Sequence, residues 1–297
     1  MSYDSAFGQM MHHVFGGFDM SIFAAFGFVQ NDIFTWLAHA FTAFGQPEFC
    51  IMLFIMGLVM CAFKRTRKIG LLIICTIGLF FITNNLILKN LFFRLRPYNA
   101  LQGNAEYFQW YLNVGAIAET ETCFPSGHSC FAFSMATALF LWIRNDLKKS
   151  EGWMLFIPAL FVACSRIYLM VHYPTDVIAG ILEGILLGTI VWYALKLIFF
   201  TGEKFAPSFT EKCTEADLEP RLEKKLNRKP ETNKVIAIIV LLVICFWAAS
   251  FSKLMVDMNA AEHCAHQGPD YICMNEADNP VYDEATGQWK YYCDLHD

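Results

Sequence analysis

Basic and acidic side chains at the ends of long apolar stretches are the residues of this chain that could do chemistry. They are Lys89, Arg96, His128, Arg166, His172 and Asp176. An ionisable group at membrane depth is costly unless it has a partner, so a set of such groups indicates a functional site. A single residue of this kind, such as Arg94, is better interpreted as a side chain that extends to the lipid headgroups.

The cations and the residues around them are suited to binding a phosphoryl group. Phosphoryl transfer needs positive charge around oxygens whose negative charge is redistributed in the transition state, and Lys89, Arg96 and Arg166 can supply it. Ser126 and Gly127 stand at the start of an apolar stretch, so their backbone amides are predicted at a helix N-terminus. The free N–H groups and the dipole at such a terminus favour the binding of an anion. No Asp/Glu cluster of the kind that holds two metal ions lies near these residues, and neither a metal nor a cofactor is expected.

The spacing of these residues carries a family resemblance. The segments read Lys89 to Arg96-Pro97, then Pro125-Ser126-Gly127-His128, then Ser165-Arg166 followed by His172 and Asp176. They resemble the type 2 phosphatidic-acid phosphatase superfamily, which also includes bacterial class A acid phosphatases and vanadium haloperoxidases. The family pattern is K-x6-RP, PSGH and SR-x5-H-x3-D, and every fixed position is present in order. The resemblance spans residues 89–176 at the level of motifs.

The resemblance implies separate roles for the two histidines. His172 would be the nucleophile, with a hydrogen bond from one ring nitrogen to Asp176 that fixes the tautomer. His128 would protonate the departing oxygen and later activate water. A phosphohistidine would form and be hydrolysed, as in the family. The motifs are completed by Pro97, Pro125 and Ser165.

The composition indicates that a membrane positions these residues. The 297 residues are 56% hydrophobic and only 16% charged, and the mean hydropathy is +0.39, which fits a soluble surface poorly. Apolar stretches near the length of a membrane-spanning helix recur at 46–63, 70–88, 124–143, 153–171, 177–200 and 235–251. They predict an all-α bundle of about six transmembrane helices. A net charge of −5 without an extended basic patch gives no support for nucleic-acid binding.

The regions outside those spans complete the predicted organisation. Residues 18–44 are apolar but interrupted at Gln30-Asn31-Asp32, which predicts two short interfacial helices. The first residues lack the pattern of a cleavable signal peptide. The predicted regions are N-terminal interfacial helices at 1–45, a five-span core at 46–200, a cytoplasmic linker at 201–233, an added span at 234–256, and an acidic, cysteine-containing tail at 257–297.

The distribution of Lys and Arg predicts the orientation. Basic residues cluster near 64–68, at 144–149 and at 204–229, whereas 98–124 has none. Because cytoplasmic loops carry the excess of Lys and Arg, the three basic segments should be cytoplasmic. The motifs and the tail should then lie on the extracytoplasmic side of the cell membrane. The aromatic loop 98–124 would be a lid or, preferably, a belt at the headgroups.

Several cysteines are predicted on that outer side, where disulfides persist. They are Cys123, Cys264, Cys273 and Cys293. One or two bridges among them are expected. A zinc site is the alternative, and it would use His263, Cys264, His266 and Cys273, although their spacing does not match paired Cys-x-x-Cys motifs. The sequence does not indicate an oligomeric state.

A site beside the headgroup layer favours a substrate with a lipid tail and a phosphate. Undecaprenyl diphosphate, phosphatidylglycerol phosphate and phosphatidic acid all fit, and Gly127 stands where many diphosphatases of this type carry aspartate. A phosphotransferase of the same architecture is an alternative, whereas a haloperoxidase is expected to be soluble. A transporter or receptor that only binds an anion is a further alternative, but such binding would not require His128, His172 and Asp176.

Overall fold

The computed structural model describes a helical body and a few short pieces of the C-terminal part. The described residues are 4–64, 66–117, 119, 121–145, 147–205, 244–245, 247–248, 251–252, 280–283 and 288–291. The predicted helical class is confirmed for the body. A small antiparallel hairpin within the tail region departs from the all-α prediction, with β1 (Pro280–Asp283) paired to β2 (Gln288–Tyr291).

The helices follow the apolar stretches closely. In chain order they are α1 (Ala6–Phe28), α2 (Asp32–Thr42), α3 (Pro47–Cys61), α4 (Arg67–Phe80), α5 (Lys89–Leu91), α6 (Pro97–Ala100), α7 (Ala105–Asn113), α8 (Gly127–Asn145), α9 (Phe156–Tyr168) and α10 (Pro174–Phe205). A π-helix, Phe81–Leu88, joins α4 to α5. Short 3-10 helices precede α3 at Ala43–Gly45 and α9 at Glu151–Leu155.

Helix length and composition identify fewer membrane spans than the sequence predicted. Among the described residues, Arg67–Leu91 and Pro174–Ile198 are long and apolar enough to cross a bilayer. Asp32–Gly45 and Pro47–Cys61 qualify together as a third span, bent by 45° at the break. Six spans therefore remain a prediction.

The structure confirms the predicted break between the two N-terminal helices. α1 ends at Phe28, and the side chain of Asn31 caps α2 by accepting a hydrogen bond from the Phe34 amide at 3.0 Å. α1 is longer than the apolar pattern suggested, since it begins at Ala6. It also directs Asp19 into the protein, where this carboxylate is buried.

Glycines bring α8 and α10 into close contact. An ideal Cβ at Gly184 or Gly188 would lie only 2.5 or 2.4 Å from a backbone oxygen of α8, and one at Gly180 would lie 2.5 Å from the carbonyl oxygen of Ser126, the residue before α8. Small residues spaced four apart let two helix backbones approach closely in a membrane. This seam fixes the beginning of α8, which carries His128, against the beginning of α10, which carries Asp176.

The chain directions bring the motifs to one end of the bundle. The α4–α5 stretch and α9 end there, and α8 and α10 begin there. Hydrogen bonds between the residues at these termini show this placement. The turns after α3 and after α8, which contain the basic segments near 64–68 and 144–149, lie at the other ends of these helices.

The C-terminal regions are only partly described. α10 continues to Phe205, so it extends past residue 201, where the linker is predicted to begin. The rest of the linker and most of the segments 234–256 and 257–297 lie outside the described residues, as do Cys264, Cys273, Cys293, His263 and His266. Within the predicted added span, the Trp247 indole donates to the Ala40 carbonyl at 3.0 Å and stacks on Phe44. The division into five regions stays a prediction.

Candidate active site

Cations from three parts of the chain meet at the motif end of the bundle. Lys89 lies in the turn that follows the π-helix, Arg96 precedes the Pro97 that begins α6, and Arg166 lies in the last turn of α9. All three side chains are buried. Guanidinium groups and an ammonium group held this way present many N–H donors to a multivalent anion.

Two carboxylates that precede the PSGH motif form ion pairs with these three cations. Glu119 contacts Arg96 at 2.9 Å and also pairs with Arg166, while Glu121 pairs with Lys89. Burial opposes ionisation of Glu119, but Arg166 and Arg96 outweigh it and hold the pKa of Glu119 well below its usual range. Glu119 is therefore an anion at neutral pH.

The contacts of His172 define its tautomer. Arg96 Nη1 lies 2.9 Å from His172 Nε2. A guanidinium can only donate, so Nε2 must offer its lone pair and Nδ1 must carry the proton. Burial, together with Arg96 and Arg166, lowers the pKa of His172 well below its usual value. His172 is thus a neutral imidazole whose Nε2 lone pair faces the cations.

The expected direct hydrogen bond between His172 and Asp176 is wrong in this structure. Nδ1 and Oδ2 are 3.8 Å apart, and the thiol of Cys123 lies beside both of these atoms. Its Sγ is 2.8 Å from Asp176 Oδ2 and 3.4 Å from His172 Nδ1. Burial and the nearby Asp176 raise the pKa of Cys123 well above its usual value, so the group stays a thiol that donates to the carboxylate.

Cys123 also differs from its predicted place among the outward disulfide candidates. The residue is a free cysteine and fully buried. The amide of Cys123 donates to the Arg94 carbonyl at 3.1 Å, which draws the side chain inward against the histidine. The sequence alone could not reveal this, because the thiol's neighbours come from a distant part of the chain.

Arg94 anchors Asp176 from behind. Its guanidinium contacts Asp176 Oδ1 at 2.5 Å and Asp19 Oδ2 at 3.0 Å, and lies 3.7 Å from the ring centroid of Tyr173. Asp19 in turn accepts a hydrogen bond from the Thr175 amide at 3.0 Å. The headgroup interpretation of Arg94 is therefore wrong, because two buried carboxylates compensate its charge.

His128 lies in the first turn of α8 with its ring against Gly45. An ideal Cβ at Gly45 would be 2.1 Å from His128 Cδ2, so only glycine leaves room for the ring. The Nε2 atom of His128 is buried and has no hydrogen-bond partner among the described residues. A buried polar atom of this kind needs a partner, and an oxygen of a bound ligand would provide one.

The other motif residues mostly hold the scaffold. The Ser126 amide donates to the Asp176 carbonyl at 3.1 Å, and its hydroxyl pairs with Ser129 at 2.9 Å. The expected anion-binding amide of Ser126 is therefore engaged inside the protein and ties the start of α8 to that of α10. The Ser165 hydroxyl bonds to the carbonyl of Val162 within α9. At Gly127 an ideal Cβ would lie 3.5 Å from Lys89 Nζ, which places this backbone beside the cations.

Sequence reasoning missed several residues that complete the site: Asp19, Gly45, Arg94, Glu119, Glu121 and Cys123. Two signals could have pointed to some of them. Asp19 is an isolated acidic residue in the apolar stretch 14–29. Glu119 and Glu121 lie shortly before the PSGH motif. Gly45 carries no signal in a single sequence, since its role is to leave space.

One group of described residues has the donor types that hold a metal ion. The donor atoms of Cys123, His172 and Asp176 lie within 4.8 Å of one another. Arg94 and Arg96 contact two of these three residues directly. Their fixed positive charges oppose a bound cation, so the cluster is better explained as the support of the histidine.

Comparison with known proteins connects this geometry to a family. The model of the PAP2 superfamily matches residues 68–199, a range that contains all three motifs. The bacitracin transport permease protein BcrC of Bacillus licheniformis is 34% identical over 155 residues, which cover 51% of this chain and 70% of that protein. An undecaprenyl-diphosphatase of Sulfolobus acidocaldarius is 29% identical over 174 residues, which cover 57% of this chain and 74% of that protein.

A solved structure has the same fold. The crystal structure of a transmembrane PAP2 type phosphatidylglycerolphosphate phosphatase from Bacillus subtilis superposes with a TM-score of 0.52 at 23% identity, covering 64% of this chain and 90% of that one. At this identity the superposition supports the fold, and the relative at 34% identity supports the family. The chain belongs to the PAP2 superfamily.

Proposed function

We propose that this protein is a membrane lipid phosphatase that removes a phosphate from a lipid phosphate or diphosphate through a phosphohistidine at His172. The observation that carries the proposal is the contact between Arg96 Nη1 and His172 Nε2 at 2.9 Å. It fixes a neutral imidazole whose Nε2 lone pair is directed at cations that suit phosphate oxygens. Such an arrangement combines a nucleophile with electrostatic stabilisation of the transition state.

The first half-reaction follows from these positions. The phosphoryl oxygens bind Lys89, Arg96 and Arg166, and the Arg96 hydrogen bond moves from His172 to an oxygen. His172 Nε2 attacks phosphorus, so a P–N bond forms while the P–O bond to the lipid breaks. His128 gives its proton to the departing oxygen. The imidazolium keeps its Nδ1 proton, and Asp176 stabilises the new positive charge with the Cys123 thiol beside both.

The second half-reaction restores the protein. His128 now lacks a proton and takes one from a water molecule, whose oxygen attacks phosphorus. The P–N bond breaks, and its electron pair returns to His172 Nε2. Inorganic phosphate leaves, and His128 carries a proton for the next cycle. No bond in this sequence requires a metal ion or a cofactor, so we propose a metal-independent reaction.

The location and the substrate are inferred together. The site lies at the bundle end opposite the basic turns near 64–68 and 144–149, which favours an extracytoplasmic site in a multi-pass protein. Similarity to an undecaprenyl-diphosphatase supports a lipid tail on the substrate. Undecaprenyl diphosphate, phosphatidylglycerol phosphate and phosphatidic acid are the substrate class proposed.

Phosphate release by the purified protein in detergent with EDTA tests this function. The panel contains the three lipids and a soluble phosphomonoester, and acid-labile phosphoprotein is trapped by rapid quenching. We expect release from at least one lipid and a trapped phosphohistidine, both lost in His172→Ala and both kept in His13→Ala, which changes an exposed histidine of α1. Release in EDTA that survives His172→Ala would contradict the proposal. Trapping without release would indicate a phosphotransferase without its acceptor.

A further inference from the structure

The phosphate-binding cations of the proposed mechanism already hold anions that belong to the protein. Lys89 is paired with Glu121, while Arg96 and Arg166 share Glu119. The two acidic residues come from one short segment between α7 and α8. A phosphoryl group that binds the nitrogen atoms now paired with these carboxylates must replace them.

The geometry of Glu119 resembles that of the ligand it would exclude. One of its oxygens contacts Arg96 Nη2 at 2.9 Å, and the other contacts Arg166 Nη2. A phosphoryl group at the same place could present two of its oxygens to the two guanidinium groups, just as this carboxylate does. Glu121 supplies a further oxygen to the ammonium group of Lys89.

Backbone groups of Glu119 and Glu121 are hydrogen-bonded to the protein independently of their carboxylates. The Tyr98 hydroxyl donates to the Glu119 carbonyl and accepts from the Glu119 amide, both at 2.9 Å. Arg96 Nε donates to the Glu121 carbonyl at 2.9 Å. These bonds fix the segment on both sides of the carboxylates, and exchange with a ligand then needs only rotation of the glutamate side chains.

The two glutamates differ in exposure. The side chain of Glu119 is 19% exposed and that of Glu121 is 56% exposed. Glu121 is therefore at the mouth of the site and pairs with Lys89 in contact with solvent, where an ion pair is weak. Glu119 is deeper and binds two guanidinium groups, so replacing it costs more.

We infer that Glu119 and Glu121 are specificity-determining residues that compete with the phosphoryl group for Lys89, Arg96 and Arg166. The inference rests on the proposed function. A substrate must supply enough binding free energy elsewhere to displace the carboxylates, and a lipid tail in the bilayer can do so. Inorganic phosphate and small phosphomonoesters have no tail. The carboxylates thus select tailed substrates and return to expel the phosphate product.

Direct binding of inorganic phosphate tests the inference without using turnover. Isothermal titration is performed on the purified full chain in detergent, for the wild type, Glu119→Gln, Glu121→Gln and Glu106→Gln. We expect phosphate affinity to rise about 10-fold in Glu119→Gln, because a charge-assisted competitor has been removed. The rise should be smaller in Glu121→Gln. Glu106→Gln should match the wild type, since Glu106 is an exposed acid of α7.

A second measurement addresses selection among substrates. The ratio of kcat/KM for a soluble phosphomonoester to kcat/KM for the preferred lipid should rise in Glu119→Gln, because a tailless substrate gains more from losing the competitor. Phosphate affinity unchanged in a folded Glu119→Gln variant would overturn the inference. Should that variant fail to fold, an unchanged affinity in Glu121→Gln would overturn it instead.

Failure of this inference and failure of the proposed function give different results. Lipid turnover by the wild type with unchanged phosphate affinity in the variants would leave the phosphatase and remove the competition. Tighter phosphate binding in the variants, with no lipid turned over by any protein, would keep the competition and remove the phosphatase.

Discussion

The support of His172 and the cation cluster are two halves of one site, and they are built differently. On one side, Cys123, Asp176, Arg94 and Asp19 form a chain of contacts behind the histidine, and each is almost fully buried. On the other side, the cations are paired with carboxylates that reach solvent. The first arrangement holds His172, the proposed nucleophile, in one orientation. The second can exchange its partners, as ligand binding requires.

His172→Ala should produce the largest effect and separate the two halves. Turnover should fall by roughly 10⁴-fold or more, because the group that accepts the phosphoryl is gone. Binding of inorganic phosphate should change little, since the cations remain, and titration calorimetry on the same preparation measures it. A parallel loss of phosphate affinity would show that the histidine belongs to the binding half as well.

Arg94→Ala should have the largest effect on stability. It leaves Asp19 and Asp176 buried without a countercharge, and removal of one partner from a buried ion pair costs about 3–5 kcal/mol of unfolding free energy. Unfolding of the detergent-solubilised protein measures this. Arg144→Ala, which changes an exposed arginine at the other end of α8, is the control. Equal stability of the two variants would refute a fixed support.

Gly45→Ala should weaken the contribution of His128. The new methyl group would overlap the imidazole, and misplacement of a general acid should lower kcat roughly 100-fold for a lipid alcohol leaving group. The loss should be smaller for a p-nitrophenyl ester, whose leaving group needs less protonation. Gly16→Ala is the control because an added Cβ there meets nothing within 4 Å. The same loss for both leaving groups would point to a general distortion.

Cys123→Ala should have a smaller effect, about 10- to 100-fold on kcat, because it loosens the orientation of His172 without removing the imidazole. Cys123→Ser should retain most of the activity, since a hydroxyl can donate to Asp176.

The pH profile adds a second readout for Cys123. Protonated His172 cannot attack, so activity falls as the pH decreases through the pKa of this group. Because that pKa is lowered, the acid limb of kcat/KM for the wild type should lie below pH 6.5. In Cys123→Ala, Asp176 can approach the ring directly and favour its protonated form, so the limb should move to higher pH. An unmoved limb together with full activity would leave the thiol without a positioning role.

Much of the fold and the grouping of the motif residues at one end of the bundle could be predicted from the sequence, for physical reasons. Apolar runs place helices because a bilayer leaves few alternatives for the backbone, and the break before α2 is visible because Asn31 is a good capping residue. His128, His172 and Asp176 could be named because their spacing follows a family motif. The structure places them, with Lys89, Arg96 and Arg166, at one end of the bundle.

The remaining parts of the site depend on contacts between distant segments. Cys123 resembles a disulfide candidate until the neighbouring Asp176 is known, and Arg94 resembles a headgroup residue until Asp19 is placed beside it. Glu119 and Glu121 have meaning only through the cations they bind. The apolar pattern alone does not give the span count, because it does not show that α2 and α3 form a bent pair that qualifies as one span.

The glycine seam between α8 and α10 restricts the route by which a hydrophobic chain can reach the site. Backbone atoms of the two helices already meet at Gly180, Gly184 and Gly188, and no space remains between them for a methylene chain. The opposite face of α10 presents apolar side chains such as Leu182 and Leu186 outward. The isoprenoid or acyl tail of the proposed substrate would therefore pass on another side of α8, and the entrance from the bilayer should be sought away from this seam.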